Sequence, residues 1–341
     1  MALKYLTPGP VQIPKCVLDA VARQPQFHRT EEFRRIFKGV IEKLSRIGGT
    51  PVIIPGTGTL SVDIMVYNYI NPGEKAVALV NGEFGKRLVD SMRSRGCLVH
   101  EIAWRHGDVP PPDVLEDFVS KIGDVRAIAV VHNETSNGTT NRFIERYQEI
   151  ADSIGAVLLV DSVSAFPAEP IRSDVDVIAT ASQKAFISPP GAAILFISRE
   201  PRAASGIPPS MDLRRFLKHI QKFETPYTPP INVIYGLDAA LDYILNMGIE
   251  RYHEIHRERA NILYKRIKLE PIAREPFRSC TVTAFYTNRA EEIIDSLKAR
   301  GYVIAGGMGE LKGKAIRIGV MGEVEPKELE EVAEVVNRFV D

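Results

Sequence analysis

Tryptophan occurs once in these 341 residues and cysteine three times. Cys16, Cys97 and Cys280 lie far apart and form no CxxC pair, which argues against a zinc site or a disulfide framework and suits a reducing compartment. Neither sign of charge is in excess, because 43 Lys and Arg balance 43 Asp and Glu. No broad field therefore draws the chain to nucleic acid or to an anionic membrane, and any anion-binding site has to be local. No apolar run approaches the length of a membrane span. The N-terminal MALKYLTPGP reaches Pro-Gly-Pro before an apolar h-region can form, unlike a secretory signal. These absences predict a cytoplasmic protein with no metal site, in which the sequons Asn133-Glu-Thr and Asn137-Gly-Thr carry no glycan.

What is present is ordinary for a soluble globular protein: 45% hydrophobic and 25% charged residues. The length exceeds one simple core and predicts a large domain with a smaller one. Residues 1–15, rich in Pro and Gly, form an extended N-terminal arm. From Pro51 onward short apolar runs (PVIIP, KAVALV, CLVHEI, RAIAVV, AVLLV, VDVIAT, AAILFI) read as strands. Between the earlier ones lie amphipathic stretches at 59–70, 84–95, 112–122 and 142–154. Strand–helix alternation with nearly continuous apolar strands predicts an α/β fold, a doubly wound, mainly parallel sheet covered on both faces. Beyond Pro208 come helical segments at 212–221, 231–246 and 249–268. TVTAFY, a helix at 290–300, KAIRIG and a helix at 326–340 close the chain as a small α+β unit. The boundaries expected are an arm at 1–15, a large domain at 16–245 and a small C-terminal domain at 246–341.

In such sheets ligands sit outside the carboxyl ends of the strands, and here those ends are chemically loaded. One strand stops at Asp161 and another just before Ser182-Gln183-Lys184. Taken singly, Asp161 could cap a turn and Lys184 could be a solvated surface lysine. Together, on one edge of one sheet, a carboxylate suited to a protonated heteroaromatic nitrogen and a lysine suited to a Schiff base fit pyridoxal phosphate. The stretch PGTGTLS, between a strand and a helix, lacks the third glycine of a dinucleotide fingerprint. It still offers free N–H groups and the hydroxyls of Thr57 and Thr59 to a phosphate. GELKGKA has the wrong spacing for a P-loop.

The segments LTPGPVQIP, PGTGT, NGEFGKR, HNETSNGT, VDSVSAF, SQKAFISPPG, TPPINVIYGL and IRIGVMG, in this order from Pro8 to Gly322, resemble the class V, fold type I aminotransferases, the alanine/serine–glyoxylate or pyruvate branch above all. The resemblance implies pyridoxal phosphate as cofactor, with Lys184 as its Schiff-base lysine and proton shuttle and Asp161 paired with the ring nitrogen. It further implies Val163 beneath the ring, Phe84 stacked on it where the family often has Trp, and Thr135 near the ring hydroxyl. Thr57, Gly58, Thr59 and Gln183 would bind the phosphate. Thr225 and Thr228 would reach it from the neighbouring subunit of a homodimer with shared active sites. Arg317 would grip the substrate α-carboxylate as a bidentate fork, with Pro8 and Gly9 beside it.

The implied reaction is ping-pong transfer of an amino group from a small amino acid, Ala or Ser, to glyoxylate or pyruvate. A dicarboxylate donor such as aspartate would need a second cation, and Arg29 in FHRTEEF is the candidate, its bland reading being an exposed arginine ahead of an amphipathic helix. A cysteine desulfurase would need a nucleophilic Cys and usually a His before the lysine, where Gln183 stands here. A nucleotide-binding protein would rest on the GxG turn alone and would leave Asp161 and Lys184 without a role.

Overall fold

The apolar runs come together in one sheet. The computed structural model describes residues 3–172, 174–203 and 205–340. The chain opens with a two-residue strand β1 (Lys4–Tyr5) and helices α1 (Lys15–Val21) and α2 (Glu31–Ser45). It then alternates through β2 (Thr50–Gly56), α3 (Gly58–Tyr69), β3 (Lys75–Val80), α4 (Glu83–Arg95), β4 (Leu98–Ala103), α5 (Pro112–Ile122) and β5 (Val125–Val131). A small hairpin of β6 (Asn133–Glu134) and β7 (Thr139–Thr140) precedes α6 (Ile144–Ser153), β8 (Val157–Asp161), β9 (Val177–Ala181) and β10 (Gly191–Ile197). The large sheet has the order β2-β10-β9-β8-β5-β3-β4, and β10 alone runs against its neighbours. This is the expected mainly parallel α/β sheet. Its central strands β8 and β9 are buried at every residue because helices cover both faces, which is why they read as unbroken apolar runs. At the edge, β4 buries only Ile102 and leaves Leu98 exposed.

Parallel strands send all their carboxyl ends to one side. The ends of β2, β3, β5, β8 and β9 therefore deliver Thr57, Asn81, His132, Asp161 and Ser182 to the same edge. The helices that follow start there too. α2, at the other side of the chain's entry, shows why such segments are helical: Thr30 Oγ1 accepts from Phe33 N at 3.3 Å, Glu31 and Glu32 occupy the first turn, and Phe33, Phe37, Val40, Ile41 and Leu44 bury one face.

After α7 (Leu213–Ile220), α8 (Ile231–Met247) and α9 (Ile249–Arg266), the chain adds β11 (Val282–Tyr286), α10 (Ala290–Ala299), β12 (Tyr302–Val303), β13 (Ala305–Gly306), β14 (Ala315–Gly319) and α11 (Pro326–Val336). Strands β11-β14-β13 form an antiparallel sheet. A second apolar cluster, separate from that of the large sheet, gathers Leu263, Phe285, Ile293, Ile316, Ile318 and Leu329. The N-terminal arm belongs to this cluster. Leu6 is buried in it, β1 pairs in parallel with β12, and Gly319 N donates to Leu6 O at 2.8 Å. A Cβ on Gly319 would collide with the Thr7 carbonyl, so glycine is what lets the arm lie on β14. The arm thereby carries Thr7–Val11 across to the chemically loaded edge of the large sheet. The last helix ends at Val336, short of the expected 340, because the chain tightens into a 3₁₀ turn at Asn337–Phe339. Among the described residues no helix is long and apolar enough to cross a membrane.

Candidate active site

Asp161 ends β8 as a buried carboxylate, and Val163 N donates to its Oδ1 at 3.0 Å. Burial pushes this carboxyl up to about 7; the bond from Val163 and the charges of Lys184 and Arg87 offset only part of that rise. Lys184 follows β9 by three residues and donates from Nζ to Pro8 O at 2.7 Å. Burial, aided by the charge of Arg317, lowers its amine to about 8. An ammonium so destabilised gives up its proton readily, which a Schiff-base lysine requires. Gly9 lies against the same side chain with φ +115°. A Cβ there would overlap Lys184 Cδ and sit 2.8 Å from Nζ.

Arg317 projects from β14, is 8% exposed, and forms no ion pair among the described residues. Its Nε donates to Gly306 O at 2.8 Å and its Nη1 to Thr135 O at 3.2 Å, so two carbonyls aim the fork. Burial lowers its pKa to about 10. Thr135 is itself fixed, donating from Oγ1 to Ser164 Oγ at 2.6 Å. Phe84 is the second residue of α4. Glu134 caps that helix, accepting from Phe84 N at 3.1 Å and Gly85 N at 3.0 Å. Across from it, α3 starts at Gly58 with Thr57 as N-cap and no side chain satisfying the first N–H groups. Val163 packs on Gly58, where a Cβ would come within 2.9 Å of Val163 Cγ2.

Two adjoining cavities result. One, about 610 Å³, is lined by Tyr5, Thr7–Val11, Phe84, Thr135, Lys184, Val303, Ala305, Met308 and Arg317. The other, about 270 Å³, is lined by Gly58, Thr59, Val62, Asp63, Phe84, Arg87, Leu88, Asp161, Val163, Gln183 and Lys184, with Gly9 at the junction. The smaller one suits a phosphorylated pyridine aldehyde. It has a lowered lysine amine and an aromatic wall and, among the described residues, a carboxylate without an ion-pair partner and a helix N-terminus without a side-chain cap. Lys184, Asp161, Val163, Phe84, Thr135, Gly58, Thr59, Gln183, Arg317, Pro8 and Gly9 all come together here, with Thr57 exposed at the rim beside Gly58.

Arg29, Thr225 and Thr228 do not reach these cavities in their own chain. Arg29 is exposed, and its guanidinium donates to Thr225 O at 2.7 Å and Pro226 O at 3.3 Å. Within its own chain, then, the guanidinium of Arg29 is bound to the 225–226 turn and not to the cavity. Thr225 Oγ1 donates to Tyr227 O at 2.7 Å, and Thr228 is exposed. Sequence reasoning missed Glu134 and Arg87, although both sit in the quoted segments HNETSNGT and NGEFGKR. None of the three cysteines lines either cavity, and burial pushes the Cys280 thiol up to about 11. The desulfurase alternative lacks its nucleophile.

Fold and edge together define a pyridoxal-phosphate enzyme of the type in which a strand-end Asp and a following Lys flank the cofactor. The profile of the aminotransferase class-V family matches residues 6–305, and the chain belongs to that family: it is a transaminase, with pyridoxal phosphate as cofactor. An uncharacterized aminotransferase of Methanocaldococcus jannaschii is 32% identical, over 95% of this chain and 89% of that protein. The alanine–glyoxylate aminotransferase of Nostoc superposes with a TM-score of 0.91 at 26% identity, covering 100% of this chain and 96% of that one. The aspartate aminotransferase of Thermus thermophilus superposes with a TM-score of 0.89 at 28% identity, covering 98% of each chain.

Proposed function

We propose that this transaminase moves an amino group from a small monocarboxylic L-amino acid, alanine or serine, to glyoxylate or pyruvate in two ping-pong half-reactions. The observation that carries the reading is Arg317: it is the one arginine lining the larger cavity, buried and without a carboxylate partner among the described residues. One fork binds one carboxylate bidentately. No second guanidinium lines this cavity among the described residues; beyond Lys184, its remaining side-chain donors are the hydroxyls of Tyr5, Thr7 and Thr135, and its walls Val11, Val303, Ala305 and Met308 are apolar.

When bound, pyridoxal phosphate supplies an electron sink for the bond broken at the substrate Cα. The chain supplies the rest. Arg317 fixes the α-carboxylate, and the carbonyls of Gly306 and Thr135 fix Arg317. Lys184, whose amine burial lowers to about 8, would give up its own proton readily and, once freed by the substrate's amine, would take the proton from Cα. The same amine would hold that proton for its return, so that Lys184 would serve as both base and acid of the transfer. Asp161 would keep a proton on the ring nitrogen by presenting a buried carboxylate that has no ion-pair partner among the described residues. Phe84 and Val163 would hold the ring between them, and Thr57, Gly58, Thr59 and Gln183 would take the phosphate. The working unit in this reading is a cytoplasmic homodimer of large domain 16–245 and small domain 246–341, whose Thr225 and Thr228 complete the neighbour's phosphate site.

A second reading, aspartate as donor, draws on one observation. Arg29 is tied to the 225–226 turn, so if that turn serves the neighbour's cavity, Arg29 travels with it and becomes a second clamp. Absorbance spectra of the cofactor-saturated protein separate the two. Alanine, serine, glycine and aspartate are added singly without a 2-oxo acid. Conversion of the lysine-bound band to that of pyridoxamine phosphate by alanine or serine, kept in Arg29→Ala, supports the first reading. Conversion by aspartate that is lost in Arg29→Ala supports the second. A band indifferent to every donor, or unchanged in Lys184→Ala, overturns both.

A further inference from the structure

The smaller cavity is lined by two carboxylates, Asp63 and Asp161, and by two cations, Lys184 and Arg87. Asp63 accepts from Ser91 Oγ at 2.6 Å, and Lys184 donates to Pro8 O and is the amine that would take the cofactor's aldehyde. A phosphate dianion entering this space meets the α3 N-terminus, which offers only partial charge. Asp161 and Asp63 add negative charge to the same cavity. The remaining full positive charge is Arg87.

Arg87 is otherwise uncommitted. It forms no ion pair or hydrogen bond among the described residues, and its guanidinium lies over the Phe84 ring, 4.8 Å from the centroid. Phe84 and Arg87 are three residues apart on α4, one turn above each other. Stacking occupies the flat face of the guanidinium and leaves its in-plane N–H donors free, the geometry that suits a phosphate fork. Thr59 and Val62 of the first turns of α3 line the cavity opposite it, and Gln183, whose buried amide oxygen has no partner, lines it as well. The charge of Arg87 also reaches the machinery, helping to lower Lys184 and Arg317.

We propose that Arg87 is a binding residue for the phosphate of the cofactor, held in place by its stack on Phe84, so that one turn of α4 grips both the ring and the phosphate. The proposal rests on the assignment of this cavity to the cofactor. The test compares pyridoxal phosphate with pyridoxal, which lacks only the phosphate, as ligands of the cofactor-free protein, followed by the absorbance of the lysine-bound form. Arg87→Gln should weaken pyridoxal phosphate roughly ten-fold, the size of one charge-assisted hydrogen bond, while leaving pyridoxal unchanged. Arg87→Lys, which keeps the charge, should recover part of the loss. Equal weakening of both ligands would assign Arg87 to support of the Phe84 ring alone, and no weakening of either would make it a surface residue; each overturns the proposal. If the unmodified protein fails to prefer pyridoxal phosphate over pyridoxal, the cofactor assignment of the cavity fails instead.

Discussion

Two carboxylates in this chain are buried to a similar degree and live under opposite conditions. Glu169 accepts from Arg142 Nη1 at 2.7 Å, Thr140 Oγ1 at 2.9 Å, Ser279 Oγ at 3.2 Å and Cys280 N at 2.7 Å. Burial works to raise its pKa, yet the charge of Arg142 and these bonds hold it below the usual carboxylate range. Asp161 accepts one backbone bond, and burial wins, lifting it to about 7. The cations mirror this: Arg142 has its carboxylate, whereas Arg317 has only carbonyls. Where the chain completes its own buried charge pairs it is building structure. Where it leaves them incomplete it is leaving room for the charges of a ligand.

The sharpest way to break this contrast is Asp161→Asn. The amide keeps the shape but cannot balance a protonated ring nitrogen, and a misplaced or missing electrostatic partner of this kind costs roughly a hundred- to a thousand-fold in rate. The kcat/KM of either half-reaction should fall by that much. The denaturation midpoint of the cofactor-free protein should not fall, because an uncompensated buried acid has been replaced by a neutral group. A variant that lost stability in proportion to activity would place Asp161 with Glu169 after all.

Arg142→Ala is the converse. It leaves Glu169 buried without its cation, a loss of about 3 kcal/mol, at the low end for a broken buried pair because the Arg142 side chain is 37% exposed. Chemical denaturation reads the effect directly. The affinity for pyridoxal phosphate and the spectral response to amino donors should be retained, since neither residue lines the cofactor cavity.

The same contrast explains what the sequence displays and what it hides. Asp161 and Lys184 stand out because a charge at the end of an unbroken apolar strand has no ordinary use, and strand ends in a parallel sheet share an edge. Phe84, Gly58 and Gln183 follow from the same rule. Arg87 and Glu134 were hidden because each has a plausible surface or capping role. Only the packing of α4 against β5 shows one on the cavity wall and the other fixing its helix. The arm was legible as extended, but not its pairing with β12, a contact between residues nearly 300 positions apart. The bonding of Arg29 was not legible, because its contact with the 225–226 turn depends on a fold no local pattern encodes.

The smallest expected effect is a slope. An ordinary Asp titrates near 3.9, while Asp161 in the cofactor-free protein is pushed up to about 7. Between those values the folded chain keeps a proton that the unfolded chain has released, so stability falls as pH rises through this window. Water in the cavity screens the charge, and a contribution on the order of 1 kcal/mol is expected. Glu169, lowered instead, acts the other way, adding stability above the ordinary carboxylate range that is lost as pH falls further. The two are separated by subtraction: the difference in Tm between the parent chain and Asp161→Asn should grow from nothing near pH 4 to its full size above pH 7. Saturating pyridoxal phosphate should abolish or reverse it, because the ring nitrogen then gives Asp161 the cation that Glu169 has always had. A difference that ignores both pH and cofactor would mean that Asp161 is as well compensated by the chain as Glu169 is.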